Sequence, residues 1–413
     1  MSSDTIVFTN AMVITATGVP PFHGAVVVEG DEIVEVIDGI ARHRGEARGI
    51  DLGGRSLLPG LIDAHVHLTA VDADITEQSR RRFESEIAVL GAKSLTEMLA
   101  RGFTTVRDAG GADAGFRRTV EDGQLVGPRL LVSGRPISQT GGHGDQRLAA
   151  EHGDAGGPVP HIGLIHVIAD GPDEVRRAAR EELRRGANQV KVMASGGVMS
   201  PTDRVESVQY TREELSAAVQ AAESVGTYVM AHAYAPSAIA ACVAVGVRSI
   251  EHGNLLDEAT AKLMADNGTF LVPTLVAYER LHDEGAVHGV GREYLDKLVD
   301  IIDAGLESIR IASDAGVKIA SGSDLLGPMR RFQGEEIEIK SRVLGPLGAI
   351  MAATRTSAEL LGLQDKIGTI EPGKQADILV VDGDVIDDPK LIGRAEHVSM
   401  VLQGGRISVN NLC

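Results

Sequence analysis

The sequence predicts an α/β protein: a (β/α)8 TIM barrel joined to a small β-sandwich domain that both chain termini build together. Three observations lead there. Eight short apolar runs, at 61–67, 104–108, 129–133, 189–194, 228–232, 248–252, 270–274 and 318–323, are separated by segments with helical periodicity, the pattern of parallel βαβ units. Five of these runs end at or beside a polar group, at His67, Lys191, His232, His252 and Asp324, as strands do when their carboxyl ends ring one active site. Each chain end carries β-rich runs too few to bury a stable face alone, so the simplest solution pairs them with each other.

Residues 5 to 57 alternate short β-rich runs with turns: Ile6–Phe8, Met12–Ile14, Gly24–Val28 and Ile33–Ile37. Gly30-Asp31, between the last two, is a hairpin signal. At the other end, Ala376–Val381 and Val398–Val409 repeat the pattern, with Gly404-Gly405 as a turn. The expected divisions are 1–58 and 366–413 for the two halves of the sandwich and 59–365 for the barrel. Inside the barrel, Val175, Ala178, Ala179 and Leu183 form an apolar stripe opened by Pro172-Asp-Glu174 and closed near Gly186. A second helix opens with the capping box Thr211-Arg-Glu-Glu214. The rival is a doubly wound open sheet, which does not gather polar groups from five runs at one mouth.

Composition narrows the partners. With 43% hydrophobic and 24% charged residues the chain is an ordinary globular one. Its 40 Lys+Arg against 58 Asp+Glu, a net charge of −18, argues against nucleic acid and anionic membrane surfaces. Two cysteines, Cys242 and Cys413, are too few for a disulfide framework or a thiolate metal site. No apolar stretch approaches the ~18 residues of a membrane span, and no basic segment followed by a long apolar run opens the sequence. The expectation is a soluble, cytoplasmic protein with a small-molecule substrate.

The chemistry centres on Leu58-Pro-Gly-Leu-Ile-Asp-Ala-His-Val-His-Leu68, a strand ending in His65 and His67. Side chains two apart leave the same face, so both rings converge on one ion. Among 13 histidines a lone His-x-His is an ordinary accident; Lys191, His232, His252 and Asp324 supply the support. Such a carboxylate and imidazole set suits Zn²⁺ or a similar divalent ion with an open water position. An ammonium cannot bind a cation, so Lys191 is either a counter-charge, a snorkelling core-edge residue, or, carbamylated by carbon dioxide, an anionic bridge between two metals. The Gly-rich segment Arg135 to Asp170, with His143, His152, His161 and His166, is expected to fold over the barrel mouth. Arg107, Arg204 and Arg331 stand on or near strand ends or the following loops, as candidates to pair with a substrate carboxylate.

The order His-x-His, Lys, His, His, Asp resembles the amidohydrolase superfamily, and so do the run Leu58 to His67 and the exit Ile367-Gly-Thr-Ile-Glu-Pro-Gly-Lys-Gln-Ala-Asp-Ile-Leu379. Gln139-Thr-Gly-Gly-His-Gly-Asp145, Val190-Lys-Val-Met-Ala-Ser-Gly-Gly-Val198, Ala231-His-Ala-Tyr-Ala235 and Ser323-Asp-Leu-Leu-Gly327 are similar to its imidazolonepropionase-like subgroup, which includes Xaa-Pro dipeptidases (prolidases) and related amidases. The resemblance implies a binuclear site: His65, His67 and Asp324 on one metal, His232 and His252 on the other, and carbamylated Lys191 bridging them. Asp324 would also be the general base, and His143 and Tyr234 would contact the scissile carbonyl and its oxyanion. Against these last two roles stand a plain loop histidine and a tyrosine that caps the mouth. Arg204 stands where many relatives carry proline, so no role transfers to it.

The implied activity is hydrolysis of an amide or peptide C–N bond in a small substrate, an Xaa-Pro dipeptide or an N-acyl amino acid, by a homo-oligomeric enzyme. An amidase of xenobiotic amides, phenylureas or carbamates ranks second. A mononuclear deaminase or cyclic-imide hydrolase ranks third, because such relatives generally lack the lysine. A non-catalytic scaffold is the reading from a different class, and the six filled ligand positions oppose it.

Overall fold

The structure, a computed structural model, describes residues 5–40, 47–151 and 162–412. The strands at the chain ends are β1 (Thr5–Val13), β2 (Phe22–Glu29), β3 (Glu32–Asp38), β4 (Arg48–Asp51) and β5 (Ser56–Pro59). Between the ends lie β6 (Leu61–Val66), β7 (Phe103–Asp108), β8 (Arg129–Val132), β9 (Ile137–Ser138), β10 (Val167–Ile168), β11 (Val190–Met193), β12 (Val229–Ala233), β13 (Ser249–His252) and β14 (Phe270–Val272). The chain closes with β15 (Ile378–Val381), β16 (Val398–Gln403) and β17 (Arg406–Asn410).

The two chain ends meet in one sheet of eight strands, ordered β17-β16-β15-β5-β1-β2-β3 with β4 also on β1. Its core takes Phe8, Val26 and Ile33 from the first end and Ile378, Val380 and Met400 from the second. Neither set has partners enough without the other. The hydrogen bonding runs continuously through this sheet, and no division into two facing layers follows from it. Both expected hairpins are present: β2 and β3 turn at Gly30, φ 62°, and β16 and β17 at Gly404 and Gly405, φ 53° and 73°. Two successive positive φ values are what a two-residue hairpin loop requires and what glycine supplies without strain.

The middle of the chain forms two parallel sheets, β6-β7-β8 and β10-β9-β11-β12-β13-β14. Seven of the eight expected runs are strands within them. The eighth, 318–323, makes only an isolated bridge, Leu271 to Ile319. Its donors go elsewhere: Ser321 N to Ser357 Oγ at 3.1 Å and Ser323 N to Asp63 Oδ1 at 3.0 Å. The segment nonetheless bonds to both neighbours, through Ala320 N to Leu271 O at 2.8 Å and Ala64 N to Ser321 O at 2.7 Å. On the other side Asn188 N reaches Val132 O at 2.7 Å, linking the end of β8 to the approach to β11.

Helices between the strands follow the expected grammar. Pro172–Arg184 starts on its proline and ends before Gly186, φ 98°. It buries Val175, Ala178 and Ala179, and Glu182 where the stripe predicts Leu183, which is only half-buried. The reason is a charge pair: Glu182 accepts from Arg135 N at 3.0 Å and faces Arg135 Nη2 at 2.6 Å. The capping box at Thr211 forms, with Thr211 N donating to Glu214 Oε2 at 2.7 Å. Among the described residues no helix is long and apolar enough to cross a membrane.

Candidate active site

His65, His67, His143, Lys191, His232, Tyr234, His252 and Asp324 all line one cavity of about 60 Å³. Parallel strands put their carboxyl ends at the same edge, so β6, β11, β12 and β13 deliver their polar residues to this one place. His252 ends β13 at φ 76°, and Asp324 follows the eighth run at φ 52°. Left-handed backbone at a residue other than glycine costs of order 1–3 kcal/mol and persists only where neighbours hold it. They do here: Asp324 N donates to His65 O at 2.8 Å, and Gly253 N to Ala233 O at 3.0 Å.

Hydrogen bonds set which ring nitrogens are free. His65 Nδ1 faces Glu251 Oε2 at 2.7 Å, and His67 Nδ1 faces the Gly110 carbonyl at 2.9 Å. Such acceptors require the proton on Nδ1 and leave Nε2 as the lone-pair nitrogen. The His232 ring is the reverse, because its Nε2 meets the Gly196 carbonyl at 3.0 Å, which leaves Nδ1. His252 Nδ1 is met by Thr274 Oγ1 and Tyr278 Oη, both at 2.8 Å. Nε2 of His67 and of His65 point toward a carboxylate oxygen, Asp324 Oδ1, at 3.1 and 3.5 Å; burial lowers the His67 pKa, but the hydrogen bond and charge of Asp324 outweigh it and raise it.

A carboxylate and two ring nitrogens this close need positive charge among them, a proton on His67 or a bound cation, and this donor set fits a divalent metal. One ligand atom from each of His65, His67 and Asp324 lies within 4.8 Å of the others. Burial alone raises the Asp324 pKa, but the imidazoles of His65, His67 and His252 outweigh it and hold the carboxyl below the usual range.

Lys191 is buried. Burial brings its pKa down to about 8 against the pull of Glu251 and Asp324. Such an amine is neutral in a larger fraction than an exposed lysine, though still mostly protonated near neutrality. Burial likewise takes His143 down to about 4, with Asp203 acting in the opposite direction. Tyr234 Oη bonds Tyr278 Oη at 2.7 Å, and its ring stacks on that of His252.

The arginine candidates turn out otherwise. Arg107 is fully buried and spends its guanidinium on Ala64 O at 2.6 Å, Ser249 Oγ at 3.2 Å and Glu251 Oε1 at 2.9 Å. Arg204 lies on the surface beside Glu206 and Arg331 beside Glu284, and neither lines the cavity. His166 does line it, whereas His152 and His161 lie outside the described residues.

Sequence reasoning missed Glu251 and Tyr278. The signal for Glu251 was present: in Ser249-Ile-Glu251-His252 the period of two puts Ser249 and Glu251 on one face, and a buried carboxylate there needs a cation. Tyr278 sits on a helix, Leu275–Glu284, with nothing local to mark it. A larger concavity of about 1630 Å³ beside Arg129 and Arg406 contains none of the site residues.

A site of this kind on an α/β scaffold defines a hydrolase, and comparison with known proteins gives the family. The amidohydrolase family profile matches residues 56–408, and the chain belongs to that family. A solved amidohydrolase structure is 45% identical, with a TM-score of 0.94 over 99% of this chain and 100% of its own. A prolidase complexed with N-methylphosphonate-L-proline is 42% identical, with a TM-score of 0.94 over 98% of this chain and 100% of its own. Ochratoxinase of Aspergillus niger is 33% identical over 363 residues, 85% of this chain and 75% of the relative. The protein is accordingly a hydrolase acting on C–N bonds.

Proposed function

We propose that this enzyme cleaves the amide or peptide C–N bond of a small substrate, an Xaa-Pro dipeptide or an N-acyl amino acid, at a binuclear metal site. The observation that carries the reading is the convergence of four imidazoles, Lys191 and Asp324 on one buried cavity. His65, His67 and Asp324 would hold one ion and His232 and His252 the other, with a carbamate on Lys191 shared between them. When bound, two divalent ions, zinc by the ligand chemistry, supply an activated hydroxide and polarise the scissile carbonyl. Asp324 accepts the proton of the attacking water and passes it to the leaving nitrogen. Tyr234, its hydroxyl already oriented by Tyr278 at 2.7 Å, donates to the developing oxyanion. Apolar side chains including Met193, Met199, Leu281 and Leu326 line the cavity, favouring an apolar acyl part and excluding bulk water.

The prolidase likeness supports the dipeptide reading; the ochratoxinase likeness keeps a xenobiotic amidase as the second. The barrel belongs to the same proposal. Closure of the parallel strands into one ring over 59–365 is supported by the backbone bonds of Asn188 to Val132 and of Ala64 to Ser321, with 1–58 and 366–413 forming the sandwich.

Purified Zn²⁺-loaded protein, screened with Xaa-Pro dipeptides, N-acyl amino acids, ureas and carbamates, tests the substrate class. Release of acid and amine should be fastest from the first two groups. Faster turnover of ureas or carbamates would favour the second reading, and ammonia as the only nitrogen product would indicate a deaminase.

A further inference from the structure

We propose that Ser200 and Asp203 are positioning residues that lock His143 as one tautomer, with its proton on Nδ1 and a bare Nε2 for the substrate; the proposal rests on the hydrolase reading above. The Ser200 hydroxyl meets three groups: His143 Nδ1 at 3.0 Å, the Gly197 carbonyl at 3.2 Å, and the Asp203 carboxylate. It has one proton. Neither a carbonyl nor a carboxylate oxygen can donate, so that proton goes to one of them and a hydroxyl lone pair faces Nδ1. Nδ1 must then carry the hydrogen of the bond.

The arrangement is braced from both sides. Gln209 Nε2 donates to Asp203 Oδ2 at 2.9 Å, while Gln209 Oε1 accepts from the backbone N of His143, also at 2.9 Å. That backbone donor fixes which way the Gln209 amide points. From the far side the Lys297 ammonium donates to the carbonyls of Gly197, Ser200 and Asp203 at 3.1, 2.8 and 2.9 Å. Gly197 leaves the room the ring needs, since a Cβ there would lie 2.4 Å from His143 Cε1 and 2.8 Å from His232 Nε2. None of these five residues contributes a metal-binding atom in the proposed site. Their joint effect is the orientation of one imidazole, which stacks on His232 at 4.2 Å between centroids.

The chemical consequence differs from what resemblance assigns to His143. In its neutral form a ring held this way cannot donate to the scissile carbonyl oxygen. It accepts, and the groups it accepts from are a water or a substrate N–H: the free amino group of a dipeptide or the amide N–H of an N-acyl amino acid. Donation to the oxyanion is left to Tyr234.

The test is ¹⁵N NMR of the full-length protein labelled at histidine, with and without Zn²⁺, His143 being assigned by the signals lost in His143→Gln. The expected spectrum has Nδ1 protonated and Nε2 unprotonated, and Ser200→Ala shifts the ring toward the opposite tautomer. In the Zn²⁺-loaded enzyme Ser200→Ala should lower kcat by ~10–100-fold, the usual effect of removing a group that orients a site residue. KM should rise as well, since the ring accepts from bound substrate, and Ser200→Thr should recover most of the loss. A proton on Nε2 in the wild-type protein overturns the proposal, as does a Ser200→Ala ring that keeps its tautomer. If Ser200→Ala does not fold, the wild-type spectrum decides alone. The spectrum needs no turnover, so a correct tautomer in a protein that hydrolyses nothing would count against the hydrolase reading and not against this one.

Discussion

Asp324 combines a strained backbone with a half-buried charge, and substitution separates the two. Asp324→Asn keeps the shape of the side chain and the backbone bond to His65 O but removes the anion that the imidazoles hold. As the general base its loss should lower kcat by at least ~10²-fold, while circular dichroism and Tm, both compared in the metal-free proteins, stay near wild type. Near-normal turnover would place the base elsewhere. Lys191→Ala should abolish activity and reduce metal content, and a short-chain carboxylic acid added to the variant should restore some turnover by taking the place of the carbamate. Arg107→Met acts on stability instead. It leaves Glu251 buried with its main counter-charge gone, a change that costs about 3–5 kcal/mol and would show as a lower urea midpoint. Five of the residues that share the cavity, His65, His67, His232, His252 and Asp324, were legible because they stand at or within two residues of the end of an apolar run, and Lys191, second in β11, because it is the lone charge in one. The supports were not: nothing in spacing pairs Arg107 with Glu251 across 144 positions, or Ser200 with His143 across 57.

At the scale of elements, what decides is where backbone donors go. The Gly404-Gly405 turn was readable because two adjacent glycines between apolar runs have few other uses, and its geometry ranks the two residues. A Cβ at Gly404 meets nothing within 4 Å, whereas one at Gly405 would lie 1.8 Å from the Gly30 carbonyl oxygen. Both substitutions incur the left-handed cost of about 1–2 kcal/mol. Gly405→Ala must in addition push apart two turns from opposite chain ends, so urea unfolding should find it the more destabilised; equal midpoints would mean that the ends are not packed as described. The eighth apolar run failed as a strand for a reason no periodicity carries. Ser321 and Ser323 bond side chains of Ser357 and Asp63, residues fixed only by tertiary structure. Strands β9 and β10, of two residues each, are too short to leave a pattern at all.

For the molecule as a whole, the site is a place where folding has gathered ligand-type groups that positive charge, a proton or a bound cation, must hold together. His65, His67, His232 and His252 are buried together with Lys191, and Nε2 of two of the rings is aimed at one carboxylate oxygen. A metal that binds the native state and not the unfolded chain adds RT ln(1 + [M]/Kd), about 4 kcal/mol at a thousandfold excess over Kd. Chelation should therefore lower Tm by several degrees, and readdition of Zn²⁺ with bicarbonate should restore it together with activity. Elemental analysis of the restored protein should find about two divalent ions per chain. The same titration on Lys191→Ala distinguishes the bridge from the rest of the donor set. If the lysine carries the shared carbamate, bicarbonate no longer matters to that variant and metal stabilises it less. If one ion per chain suffices for full stabilisation of the wild type, and bicarbonate has no effect on either protein, the binuclear reading gives way to a mononuclear one held by His65, His67 and Asp324.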